Sequence, residues 1–116
     1  MNNDKFLIIK KLKDFCLNVD KIIINFPKKE YVIKDRLLND SLNVLEEVIY
    51  TNLDRNNINR INSKQKIITK ISMLDFYIEY LFKKEIINKK VFNKIINELN
   101  EISRLTYGWL KDESWI

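Results

Sequence analysis

Residues 63–82 read SKQKIITKISMLDFYIEYLF, and within them Ile67, Ile71, Leu74, Ile78 and Leu81 recur at three- and four-residue spacing. That period belongs to an amphipathic helix and excludes a strand. Met73, Phe76, Tyr77, Tyr80 and Phe82 carry the apolar stripe well past one face, so this helix touches more than one neighbour. Ser63 is the expected N-cap.

Working outward, the same period recurs in three further stretches. The first helix is expected over residues 4–25, with Ile8, Leu12, Phe15, Val19, Ile22 and Ile23 inward; Phe26-Pro27 ends it, because proline disfavours helical backbone in the residue before it. The second covers residues 30–53 through Ile33, Leu37, Leu38, Leu42, Leu45, Val48 and Ile49. The third covers 63–86. The fourth covers 88–111, capped by Asn88, with Phe92, Ile95, Leu99 and Ile102 inward, then Leu105 or Thr106. Residues 54–62, rich in asparagine, form the longest connection. A single glycine and a single proline in 116 residues leave almost none of the punctuation that hairpins need. The expected fold is all-α, one domain, an antiparallel up-down-up-down four-helix bundle.

Composition narrows the chemistry. The 21 Lys and Arg against 16 Asp and Glu give a net charge of +5, which favours polyanionic partners. The 19 Ile and 15 Asn also point to an AT-rich genome, which accounts for part of the lysine content. Cys16 is the only cysteine and lies in an apolar run, so it reads as a buried thiol with no intrachain disulfide. No secretory signal pattern and no apolar run of about 18 residues is present, so the expectation is a soluble, cytoplasmic protein.

No histidine is present, which removes the commonest general base and, with one cysteine, any Cys/His zinc site. One glycine cannot build a phosphate-cradling loop. The arginine-histidine pattern of HEPN-type RNA-cleaving domains and the Glu-x-x-His pairs of di-metal bundles are absent for the same reason. Glu46-Glu47 and Glu98 with Glu101 read as solvated faces. The expectation is a protein that is not an enzyme, with no catalytic residues, no metal, no cofactor and no small-molecule substrate.

Three local features together carry a family resemblance: Phe26-Pro27-Lys28 between the first two helices, the run from Met73 to Leu81, and Glu101 to Lys111 with its Gly108-Trp109-Leu110-Lys111 ending. The chain resembles the accessory variability determinant (Avd) of diversity-generating retroelements and its relatives, four-helix proteins encoded in intervening sequences of bacterial large-subunit rRNA genes. The resemblance implies a basic homopentamer that binds template RNA or DNA and associates with a reverse transcriptase during mutagenic cDNA synthesis. The intervening-sequence relatives imply an alternative, a protein or RNA interaction scaffold. Where Avd proteins place arginines one turn apart on the third helix, this chain has Asp75 and Glu79, which reverses the local charge.

Basic residues are in excess in the first helix and at the start of the third. Lys10, Lys11, Lys13, Lys21, Arg60, Lys64, Lys66 and Lys70 are therefore the candidate phosphate contacts, set against their plain use in keeping helices solvated. Phe76, Tyr77, Tyr80 and Trp109 are assigned to packing and an oligomer interface rather than to stacking on bases. Gly108 has two readings, a left-handed cap that ends the fourth helix or a small residue that admits a neighbouring helix. Trp115 and Ile116 form an apolar end that could dock on another chain.

Overall fold

The computed structural model describes residues 4–53 and 56–112; Trp115 and Ile116 lie outside the described residues. Four helices follow one another: α1 (Asp4–Ile23), α2 (Tyr31–Leu53), α3 (Asn57–Lys83) and α4 (Lys89–Asp112), with one 3-10 turn, Lys28–Glu30, before α2. At 1.5 Å per residue these helices run about 30–40 Å, along the 45 Å axis of a body 22 and 20 Å across. Each packs backbone to backbone on two neighbours: α1 on α2 and α4, α3 on α2 and α4, so that among the described residues α1 and α3 stand diagonally across the core. Short connections make sequential neighbours antiparallel, which is the up-down-up-down bundle.

The core follows the periods read from sequence in α1, α3 and α4; in α2 Leu42 and Ile49 of the expected stripe are exposed and Val44 is buried in the core. Ile8, Leu12, Phe15, Val19 and Ile23 of α1 meet Leu37, Val44 and Val48 of α2, Ile67, Ile71, Leu74, Ile78 and Leu81 of α3, and Ile95, Leu99 and Ile102 of α4. Phe82 stacks on Phe92 with ring centroids 4.3 Å apart, joining α3 to α4 near their shared turn.

Boundaries differ from expectation where side chains supply caps that periodicity does not reveal. α3 begins at Asn57, six residues before Ser63, because the Asn56 side chain accepts from the Asn59 N–H at 3.1 Å. Ser63 is buried inside the helix instead of capping it. What looked like a long asparagine loop is mostly the first turns of α3. The Arg60 guanidinium reaches back to the Thr51 carbonyl at 3.2 Å and satisfies an orphan acceptor in the last turn of α2. α3 stops at Lys83 through backbone bonds from Glu85 to Phe82 and from Ile86 to Leu81, with Glu85 at a left-handed φ of 60°. Asn88 caps α4 as expected, accepting from the Val91 N–H at 2.8 Å.

Neither reading of Gly108 holds within this chain. It lies inside α4 without a positive φ, and a Cβ built there would meet nothing within 4 Å.

Candidate nucleic-acid interface

The structure does not unite the eight cations singled out from sequence. Lys10, Lys11, Lys13 and Lys21 lie on α1, whereas Arg60, Lys64, Lys66 and Lys70 lie on α3, and α1 and α3 are diagonal, not adjacent, in the bundle. Several of them are also occupied. Arg60 is 8 % exposed and serves α2's last turn. Lys11 pairs with Glu101 at 3.1 Å, Lys66 more loosely with Glu47 at 3.9 Å, and Lys70 with Asp40 at 3.3 Å. Lys10, Lys13 and Lys21 are exposed, and Lys64 is half-buried.

Asp40 explains Lys70. It is a buried carboxylate on α2 whose second oxygen accepts from the Tyr77 hydroxyl at 3.0 Å, so Lys70 and Tyr77 of α3 jointly satisfy it. Burial, then Asp40 itself, pushes the Tyr77 hydroxyl pKa up, so it stays protonated and keeps donating. Lys70 is thus part of the α2–α3 packing.

A different basic surface is formed at one end of the bundle. The α1–α2 and α3–α4 connections lie at the same end, and the Lys84 ammonium of one reaches the Glu30 carboxylate of the other at 3.6 Å. This brings together three consecutive lysine pairs, Lys28-Lys29, Lys83-Lys84 and Lys89-Lys90, all exposed, with Lys21 in the last turn of α1 beside them. Glu30 is buried and Glu85 is the exposed acid of these connections. A concentration of cations with so few acids can displace counterions from a polyanion. Sequence reading missed it because Lys28-Lys29 lies more than fifty residues before the other two pairs, and the up-down-up-down topology alone makes them neighbours.

Beside this end lies a shallow cleft of about 540 Å³ between α2 and α3, lined by Lys29, Glu30, Val32, Ile33, Phe76, Tyr80 and Lys84. Lys84 donates to the Tyr80 hydroxyl at 3.1 Å and sits 5.2 Å from the Tyr80 ring centroid. That hydrogen bond, followed by the Glu30 carboxylate, holds the Lys84 pKa above its ordinary value, so its charge is fixed across any working pH.

The four residues assigned to an oligomer interface divide. Tyr77 and Trp109 are 4 % and 1 % exposed and belong to the core of the protomer, which agrees with their packing role and corrects the oligomer-interface part of their assignment. Phe76 and Tyr80 stay at the surface, around the cleft. The richest apolar surface is elsewhere. Lys11 and Asn18 face α4, through Glu101 and Glu98, and Asp40 and Glu47 face α3. By helical spacing, Phe6, Leu17 and Ile24 of α1 and Tyr31, Leu42 and Ile49 of α2 therefore lie on the outer face of the α1/α2 pair, and all six are exposed. At about 200 Å² for a fully exposed side chain of this size, they present roughly 700 Å², near what one partner contributes to a stable protein interface.

The carboxylates that read as solvated faces are partly structural. Glu98 accepts from the Asn18 side chain at 2.7 Å, and Glu101 pairs with Lys11, so both tie α4 to α1. Among the described residues no cluster of His, Cys, Asp or Glu could hold a metal ion. Asp75 and Glu79 lie one turn apart on α3, and burial, then Glu79, pushes the Asp75 carboxyl pKa up. No described helix is long and apolar enough to cross a membrane.

Comparison with solved structures yields one clear likeness. The chain superposes on a crystal structure from Bacteroides thetaiotaomicron VPI-5482, a protein of unknown function from the S23 ribosomal protein family, with a TM-score of 0.83. The match covers 93 % of this chain and 98 % of that one at 14 % sequence identity. The likeness is one of fold. No family model matches the sequence, and no curated protein matches it.

Proposed function

We propose that this chain is a non-catalytic, nucleic-acid-binding accessory protein that self-associates and serves a reverse transcriptase during mutagenic cDNA synthesis. The observation that carries the nucleic-acid reading is the lysine-rich end, where three exposed lysine pairs from two connections converge. Two of the three segments behind the Avd resemblance, residues 26–28 and 73–81, border that end or the cleft beside it. Self-association fits the apolar α1/α2 face better than the aromatic residues of α3 and α4. A pentamer remains the subunit number that the resemblance implies.

The likeness in fold to a member of a ribosomal protein family favours a second reading, an RNA or protein interaction scaffold of the rRNA intervening-sequence type. Titration of a structured RNA at several salt concentrations, with mass by light scattering, tests the proposal. An oligomer whose log affinity falls steeply with log salt supports it, because each neutralised phosphate contributes about 0.7–0.9 to the slope. A monomer with no salt-dependent binding contradicts it and leaves a protein scaffold.

A further inference from the structure

We infer that the cleft between α2 and α3 is a stacking site for an unpaired nucleobase, with Phe76 as the platform and Lys29 and the neighbouring lysines as phosphate contacts. This rests on the nucleic-acid reading above and adds to it the form of the ligand, a single-stranded segment.

The argument begins with Phe76. It is 54 % exposed, and its ring lies 6.3 Å from that of Tyr80 and 6.2 Å from that of Tyr77. Tyr77 is anchored by its hydroxyl to Asp40, and Tyr80 by its hydroxyl to Lys84. The platform is therefore held from both sides before a ligand arrives, which lowers the ordering cost of stacking. Such a ring accepts any base, because every base has a π-face.

Charge selects the occupant. Lys29 lines the cleft, Lys28 and Lys83 are exposed beside it, and the carboxylate inside it, Glu30, is already neutralised by Lys84. An aromatic surface flanked by cations matches a nucleic-acid strand, whose bases and phosphates alternate, and mismatches a purely apolar peptide. A duplex buries its base faces within its own stack, so only an unpaired strand can use Phe76.

The test compares three probes on the intact chain: a 12-mer oligoadenylate, an abasic strand with the same number of phosphates, and a duplex RNA. The expected result is oligoadenylate binding about tenfold tighter than the abasic strand, within the range measured for stacking of one base on an aromatic side chain. Phe76→Ala removes that preference and leaves abasic and duplex affinities unchanged; Phe76→Tyr retains it. Equal affinity for oligoadenylate and abasic strand overturns the stacking site while the polyanion reading stands. A Phe76→Ala variant that weakens all three probes equally, or lowers the mass by light scattering, assigns Phe76 to assembly and also overturns it. Failure of all three probes to bind overturns both.

Discussion

Lys70→Met separates a structural lysine from a phosphate-binding one. In the native protein the Lys70 ammonium lies 3.3 Å from one oxygen of Asp40, whose side chain is 8 % exposed, and the Tyr77 hydroxyl holds the other oxygen at 3.0 Å. Methionine keeps the aliphatic stem but leaves a buried carboxylate short of a partner. Breaking a fully buried ion pair costs about 3–5 kcal/mol. The Lys70 side chain is one-third exposed, so water screens its half of the pair, and the range for a hydrogen bond to a charged group, about 1.5–3 kcal/mol, applies instead. At roughly 4 °C per kcal/mol for a domain of this size, Tm falls by about 6–12 °C. Urea and thermal unfolding measure this, alongside RNA titration at several salt concentrations. Tyr77→Phe also destabilises. The double variant departs from the sum of the two by about 0.5–3 kcal/mol, because both partners serve one carboxylate. The reasoning is refuted if Lys70→Met unfolds like the wild type while its salt slope drops.

Three further outcomes follow from the backbone and the core. Gly108→Ala raises stability by about 0.5–1 kcal/mol in urea unfolding, since a mid-helix glycine is replaced where a Cβ meets nothing within 4 Å; a loss of stability, or of oligomer mass, means another chain packs against this position. Glu85→Gly relieves a left-handed φ of 60° in the α3–α4 turn and stabilises by about 0.5–1 kcal/mol, which the same unfolding assay reads. Cys16 is buried and its thiol pKa is pushed up by desolvation, so alkylation at pH 8 proceeds only as fast as the protein opens and becomes rapid in denaturant; rapid alkylation of the folded protein contradicts the packing of α1.

Much of the fold was legible because apolar residues at helical spacing leave a core few alternatives. Ile67, Ile71, Leu74, Ile78 and Leu81, read as one stripe, are one stripe in the structure. The α3 boundary was not legible, since Asn56 and Ser63 are both acceptable N-caps and only Arg60 reaching back to Thr51 shows that the chain is already helical between them. Gly108 was ambiguous because glycine is commonest at helix ends, although the fourth helix was already expected to reach residue 111, and α4 does run past Gly108 to Asp112. The candidate site was the least legible. Counting charges by segment cannot see Asp40 across the α2–α3 groove, which claims Lys70, or Glu101, which claims Lys11. Nor can it see that Lys28-Lys29 and Lys83-Lys84 share an end. That follows from topology, and the Lys84–Glu30 contact records it.

The most direct measurement compares salt slopes for single-stranded RNA between two multiple variants. One replaces Lys28, Lys29, Lys83, Lys89 and Lys90 by glutamine; the other replaces Lys10 and Lys13 on α1, away from that end. Lys84 is kept in both, because it holds Glu30 and Tyr80. With the lysine-rich end as the phosphate-binding surface, the first variant loses about 0.7 of slope for each engaged lysine, roughly 2–3 overall, and the second stays close to the wild type. A wild-type slope in the first variant and a collapsed one in the second would contradict the account.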